Sequence, residues 1–443
     1  MKILILAGSN NSTANGITIS NLFKNWDSNS LAIVEYHSNI DEIIRSNVHW
    51  YYLLGDSEVR RGILRLFTKS RPSKSLVINN PKKSVNRKIF FSETIRSHGF
   101  FLRLIGRLRI FLLYSSGLIY VSRSYKVSSS LTSFIEGFAP DFIYSTCEDI
   151  NKMKFAIDLQ KKTSIPLCIH VFDDWIENDS HFLFAKCYWK KRKLEVFSQL
   201  LNQSTLRLSI SDEMSVVYEQ RYGFEFNSFH NTANDAFFQR SVAPSIKDNN
   251  SFVFTYTGVV NTDTAPALNK FFRAIDHINS KGLSGNNCEL KIYSPYDANV
   301  VLSHLDSCVH QSYKGKVDYS ELPSILQISD GLLLPIDDNK RTREYLRLSM
   351  STKVSEFLAS GSHIFCLAPS EIALYKYLEM YDLAFCTSDY NLISLVENIL
   401  IFIADDATRM RHTTNAKSVA LVNHSTEGVT NKLYQLLKNE TNY

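Results

Sequence analysis

Short apolar runs alternate with longer stretches of helical periodicity along the whole chain. In the first half, KILILAG (2–8), LAIVEY (31–36), VHWYYLL (48–54), FIYSTC (142–147), PLCIHVF (166–172), LRLSI (206–210) and FNSFHN (226–231) predict strands. A polar, glycine-bearing loop from Ser9 to Gly16 predicts the turn into a helix at about 17–26. Further helices are expected at 127–138, 149–163 and 181–203, and another starts from a Ser211/Asp212 cap and runs to Tyr222. Pro140 stops the first of these. Strand, loop, helix, strand is the pattern of a parallel α/β layer.

Residues 239–251, QRSVAPSIKDNNS, carry no apolar periodicity and read as a linker. The alternation then restarts. Strands are expected at 252–258, 288–294, 315–317, 331–336, 363–368 and 383–387. Helices are expected at about 264–279, 296–306, 320–328, 351–360, 370–379, 390–404, 406–421 and 426–438. This organisation predicts an N-terminal Rossmann-like domain (1–238), the linker, and a second doubly wound domain (252–443) whose last helix packs back on the first. Ligands of open parallel sheets sit at the carboxyl ends of the strands, so a cleft between the two domains is the expected site.

With 443 residues, 44% apolar and 21% charged, the chain has an ordinary globular composition. Its seven cysteines show no paired framework, which fits a reduced, cytoplasmic protein. The uncharged, mostly apolar stretch between Arg109 and Arg123 is shorter than the roughly 20 residues that span a bilayer. Charge changes the picture more. Between Arg60 and Lys126 stand sixteen Lys/Arg and one acidic residue, Glu93. That segment carries +15 of a net +5, leaving −10 on the remainder. It interrupts the α/β pattern as an insertion at about 60–126.

Two clusters can carry chemistry. In LRLSMSTKVSEFLASGSHIFCLA (346–368), the hydroxyls of Ser349, Ser351 and Thr352 lead into a helix bearing Lys353 and Glu356, which Gly361 closes. Free amides at a helix N-terminus and a first-turn lysine favour a phosphate. Glu356 lies one turn on, on the same face, where a carboxylate can accept from two ribose hydroxyls. The same spacing also suits a capped helix with a surface ion pair. In HVFDDW (170–175), Asp173 and Asp174 emerge at the carboxyl end of a strand. There one of them can position or deprotonate a hydroxyl, or cap the next turn. Asp173 is the favoured member. His170 suits a core position.

The run 351–361 with the following strand and Pro369-Ser370-Glu371 resembles the donor-binding segment of GT-B glycosyltransferases. The resemblance is to the family-4-like enzymes, of the glycosyltransferase family 1 group, that make bacterial surface polysaccharides. FVFTYTGVV (252–260), the Ser-Asp helix and exit SISDEMSVVYEQRYGFEFNSFHNTAND (209–235), and GKVDYSELPSILQISDGLLLPI (315–336) resemble further landmarks in the same order. PDFIYS (140–145) and IPLCIHVFDDW (165–175) match two acceptor-domain strands. The resemblance spans nearly all of the chain outside 55–126.

It implies two Rossmann-like domains facing a central cleft and transfer of a sugar from a nucleotide-diphosphate donor to a hydroxyl. Glu356 would bind the ribose, Ser349, Ser351 and Lys353 would lie near the diphosphate, and Gly258 and Gly16 would admit close backbone approach. Arg347, among Arg341, Arg343 and Arg347, is nearest to neutralising the leaving group. The family usually has another glutamate eight residues before Glu356, where this chain has Leu348; Glu344 is four residues earlier still. It often has a histidine where Phe172 stands. No metal or other cofactor is expected, and Asp337-Asp338 reads as a loop pair. A nucleotide-sugar epimerase of similar fold and a catalytically silent nucleotide-sugar-binding subunit are the alternatives.

The insertion interleaves Arg103, Arg107 and Arg109 with Phe100, Phe101, Leu102, Leu104, Ile105 and Leu108. A helix of this kind suits the anionic inner face of a membrane, where a lipid-linked oligosaccharide acceptor would lie. A core helix with surface arginines is the other reading. The segment is too apolar for nucleic-acid tracking, and no nucleic-acid partner is expected.

Overall fold

The computed structural model describes residues 1–6, 14–36, 48–60, 72–77, 111–112, 115–117, 120, 124–146, 149–177, 185–239 and 251–441. Arg103, Arg107 and Arg109 lie outside the described residues. Contacts divide the chain into two compact units. The first comprises Met1–Ile210, Ser215–Ser228 and Thr430–Tyr443, and the second Ser211–Met214 and Phe229–Val429. The segment Phe229–Phe238, expected with the N-terminal domain, thus groups with the second unit.

The first unit is built on an eight-stranded sheet. Its strands are β1 (Ile3–Leu6), β2 (Leu31–Glu35), β3 (Trp50–Leu53), β5 (Lys74–Val77), β7 (Phe142–Ser145), β8 (Leu167–Val171), β9 (Leu206–Ser209) and β10 (Asn227–Ser228). Their spatial order is β10-β9-β8-β7-β1-β2-β3-β5. All neighbours are parallel except the edge pair β3–β5. The strand order reverses direction between β1 and β7, which makes their carboxyl ends the switch point of this sheet. β1, β2, β7 and β8 are buried at every position, as expected for strands covered on both faces.

The ends of the insertion are pinned by a small antiparallel ladder, β4 (Val59–Arg60) with β6 (Ser124–Tyr125). Beneath it the fully buried Glu58 accepts from Tyr52 Oη at 2.9 Å, from the Gly55 amide at 2.9 Å, and from the hydroxyls of Ser73 and Ser128. One described fragment of the insertion packs on the helix Lys186–Gln203. The Trp189 indole donates to Ser116 O at 2.8 Å and covers Gly117, where a Cβ would fall 2.2 Å from the ring nitrogen. Strands β4, β5 and β6 are not marked by the hydrophobic pattern.

The second unit holds a six-stranded parallel sheet of β11 (Ser251–Thr257), β12 (Asn287–Ser294), β13 (Tyr313–Lys316), β14 (Gly331–Pro335), β15 (Ile364–Leu367) and β16 (Phe385–Thr387). Their order is β13-β12-β11-β14-β15-β16. On one face Phe254, Phe271, Phe365 and Phe402 form an aromatic core with ring centroids 5.0 to 6.2 Å apart. The switch point lies between β11 and β14, so the carboxyl ends of those strands are where this unit presents a ligand site. The expected helix 296–306 is a short helix, Ala298–Leu302, followed by a 3-10 turn at Ser307–Ser312. The structure adds a short helix at Lys340–Leu346, capped by Asn339, in a segment read as loop. Among the described residues no helix is long and apolar enough to cross a membrane.

Candidate functional site

In the second unit the switch-point strand β11 ends at Gly258. Its φ of +138° is a conformation that side chains other than glycine's rarely adopt. The Gly258 amide is held by Tyr293 O at 2.9 Å. The backbone conformation favours glycine here, and a Cβ on Gly258 would also fall 2.1 Å from Lys353 Cε, so the lysine end would have to move aside. Lys353 Nζ donates to Tyr256 Oη at 2.7 Å and stands 4.4 Å from the centre of the Tyr256 ring. The tyrosine hydroxyl donates onward to Val259 O at 2.5 Å. Gly258, Lys353 and the fully buried Tyr256 thus form one assembly at the head of the sheet.

Lys353 sits on the first turn of the helix Thr352–Ser360. Ser351 caps that helix, accepting from the Lys353 amide, and Gly361 ends it at φ +72°. The loop before it is fixed from behind. The carbonyl of Arg347 accepts from the Ala373 amide at 2.8 Å, that of Leu348 from Ser211 Oγ at 2.8 Å, and that of Met350 from Asn231 Nδ2 at 3.2 Å. Ser349 is buried, whereas the Arg347 side chain is exposed. Arg343 is committed elsewhere, to Glu371 at 3.0 Å and to Asp338 O.

One turn beyond Lys353, the Glu356 carboxylate is hydrogen-bonded to the Tyr319 hydroxyl and feels the charge of Lys353. Glu356 is partly exposed, yet desolvation by the surrounding protein outweighs both partners and pushes its pKa up to about 7. Tyr319 is backed by Phe237, with ring centroids 5.7 Å apart. The structure therefore gathers Gly258, Ser351, Lys353 and Glu356 around one helix start, and it adds Tyr256 and Tyr319. Both tyrosines look like ordinary core aromatics in the sequence. The signal for Tyr256 lay in its position, two residues before the glycine that ends its strand.

Asp337 and Asp338 follow β14. Lys270 contacts them at 3.5 and 2.8 Å and lies 4.6 Å from the Tyr390 ring centre. Burial alone would raise the Asp338 pKa, but the hydrogen bond and charge of Lys270 hold it below the usual value. Among the described residues no three or more His, Cys, Asp or Glu side chains converge as metal ligands would.

In the first unit the two candidate carboxylates part company. Asp174 is buried and receives Tyr218 Oη at 2.9 Å and Arg221 Nη1 at 3.0 and 2.9 Å on its two oxygens. Desolvation raises its pKa despite the guanidinium. These bonds tie the end of β8 to the helix Asp212–Tyr222, so Asp174 serves as an anchor. Asp173 is partly exposed at the same strand end. His170 is buried in β8 with Nδ1 2.8 Å from Tyr144 Oη. Gly16 lies inside the helix Ala14–Leu22, which starts three residues earlier than its apolar pattern suggests; it is buried there and is not part of a loop.

The Asp174→Asn exchange keeps the shape and removes the ion pair. A loss of about 1–3 kcal/mol in the stability of the first unit is expected, the range for a weakened buried polar group. Urea denaturation followed by tryptophan fluorescence measures it.

No protein-family model matches the sequence, and no curated protein matches it. Solved structures do. HepE from Anabaena in complex with UDP is 12% identical over 99% of this chain and 100% of that one, with a TM-score of 0.59. A trehalose-6-phosphate protein from E. coli bound with UDP-2-fluoro glucose is 11% identical over 100% of this chain and 99% of that one, also at 0.59. Sucrose-phosphate synthase from Thermosynechococcus elongatus is 9% identical over 99% and 98%, at 0.56. The chain is similar to these structures over its full length. It has the mixed α/β fold of GT-B glycosyltransferases, with two sheets whose strands are parallel apart from the β3–β5 edge pair.

Proposed function

We propose that this chain is a glycosyltransferase that moves a sugar from a nucleotide-diphosphate sugar to a hydroxyl of a glycan acceptor. The observation that carries the reading is the convergence of Lys353 and Glu356 on one helix start at the switch point of the second sheet, with Gly258 giving the lysine passage. A cation at a helix N-terminus suits a diphosphate, and a carboxylate one turn on suits a pair of ribose hydroxyls. Similarity over the full chain to structures holding UDP and UDP-2-fluoro glucose supports the same ligand class. Arg347 and Ser349 belong to the loop that would face the diphosphate. Asp173 is the residue assigned to the acceptor hydroxyl.

Binding of nucleotide sugars tests the donor site, and the raised pKa of Glu356 gives it a signature. The ionised carboxylate accepts hydrogen bonds more strongly than the neutral acid. A nucleotide-diphosphate sugar has no group of its own that titrates near neutrality. Affinity is therefore expected to rise as pH increases through about 7, where Glu356 ionises. Calorimetry with a panel of nucleotide sugars should show this rise for the accepted donor, and Glu356→Gln should flatten it. A parent protein that binds none of them refutes the reading. Saturable binding without transfer to any acceptor would instead support the silent-subunit alternative.

The acceptor is proposed to be lipid-linked, the product a cell-surface polysaccharide, and the enzyme peripheral at the inner face of the membrane. The support is the +15 charge of the insertion together with Phe111 and Leu112, which are exposed just beyond its arginine cluster. Each Lys or Arg near an anionic surface contributes about 1 kcal/mol. Replacing Arg103, Arg107 and Arg109 together by Glu is expected to abolish flotation with anionic vesicles. Unchanged flotation would remove the membrane role and leave donor binding untouched.

A further inference from the structure

We propose that Cys366 and Cys386 form a dithiol modification site, which a low-molecular-weight disulfide oxidises to an intramolecular disulfide. The two residues are register partners on the adjacent parallel strands β15 and β16. Neighbouring strands lie about 4.8 Å apart, inside the roughly 4.4–6.8 Å window of Cα separations that a disulfide spans. Register partners in a parallel pair point to the same face. Phe365 and Phe385, one residue before each cysteine, stack on each other at 5.3 Å against the aromatic core. Alternation along a strand therefore sends both thiols to the opposite face. There they are hydrogen-bonded to one another, and Tyr375 feels both of them. The contact with Cys386, together with burial, holds the Cys366 thiol well above the usual cysteine range.

Exposure sets the order of events. Cys386 is partly exposed, and Cys366 is fully buried. The Cys386 thiolate attacks one sulfur of glutathione disulfide, forms a mixed disulfide and releases one glutathione thiolate. The Cys366 thiol then gives up its proton and attacks Cys386 Sγ, and the second glutathione thiolate leaves. Two protein thiols are oxidised to one disulfide, and one glutathione disulfide is reduced to two glutathiones. The strand spacing lies just beyond the roughly 3.5–4.5 Å that the Cβ atoms of a disulfide span, so the two strands must draw together slightly, and the strained bond should be readily reversed by thiols. It would close a loop containing the helix Ala373–Met380, whose first amide holds the Arg347 carbonyl. The inference stands on strand register and exposure and does not rest on the reading of the donor site.

The test uses the full chain, exposed to increasing ratios of oxidised to reduced glutathione. Free thiols are then blocked with one alkylating reagent, and the protein is reduced and labelled with an isotopically heavy form. Cys366 and Cys386 should acquire the heavy label in equal fractions, and an unreduced digest should yield their two peptides linked. The exposed Cys187 and Cys308 serve as references for a single thiol. In Cys386→Ser, Cys366 should stay unoxidised; in Cys366→Ala, Cys386 should stop at the glutathione adduct. The proposal is overturned if Cys386 in the parent carries glutathione while Cys366 stays free. It is equally overturned if neither is oxidised at ratios that modify Cys187, or if Cys366 oxidises as readily in Cys386→Ser.

Discussion

Replacing Lys353 by methionine is expected to lower turnover of the accepted donor about 10²–10³-fold, the size of effect seen when one preorganised group facing developing charge is removed. The lysine is held by a hydrogen bond to Tyr256, by the face of that ring, and by the space that Gly258 leaves for its stem. On the proposed reading, its charge would be in place before a diphosphate leaves and would cost little reorganisation as the glycosidic bond breaks. Methionine fills the volume of the stem and removes only the ammonium, so circular dichroism and thermal melting should match the parent. Steady-state rates at saturating donor measure the loss. A rate within a few-fold of the parent would show that Lys353 only braces Tyr256. Tyr256→Phe, which keeps the ring and loses the hydroxyl, should give a smaller loss of about tenfold, since a charge-assisted hydrogen bond contributes roughly 1.5–3 kcal/mol and the ring still orients the ammonium.

Much of the architecture was legible because parallel strands buried on both faces leave uninterrupted apolar runs. β1, β2, β7, β8, β14 and β15 each lie within an expected stretch, and β11 starts one residue before its own. The helix Lys340–Leu346 was not legible. KRTREYL has almost no apolar face, and an Asn339 cap and the buried Thr342 hold it. Strands β4, β5 and β6 belong to or border the basic insertion, where polar composition hides the pairing. At the candidate site, the Lys353–Glu356 spacing was visible on a single helix. What the sequence hides are partners brought in from afar. Tyr256 reaches Lys353 across β11, and Tyr319 reaches Glu356 from the loop after β13. Arg221 and Tyr218 decide that Asp174 is an anchor while Asp173 stays accessible. Sequence distance conceals such pairs because parallel strands require long crossovers, which bring together residues far apart in the chain.

The stability of the first unit should depend most sharply on Glu58. This carboxylate is fully buried and collects four donors, from Tyr52, Gly55, Ser73 and Ser128, at the point where the insertion leaves and rejoins the sheet. Glu58→Ala removes the shared acceptor and leaves those donors buried without it. A loss of about 3–5 kcal/mol is expected, from several buried groups each costing roughly 1–3 kcal/mol and not fully additive. Glu58→Gln keeps one carbonyl acceptor and should lose less. Burial would raise the pKa of this group, but the hydrogen bonds from Ser128, Ser73, Gly55 and Tyr52 outweigh it and hold the value below that of a free glutamate. The sign of the pH dependence follows. A depressed folded pKa contributes stability that is present above the unfolded value and is lost as pH falls through the folded one. Urea melts of the parent should weaken on acidification below about pH 4.5, the region where an unfolded glutamate begins to take up its proton. The alanine variant, with no carboxylate to protonate, should lose that part of the acid dependence. If parent and variant respond to acid identically, Glu58 is not ionised in the folded chain, and the clamp works as a neutral hydrogen-bond hub.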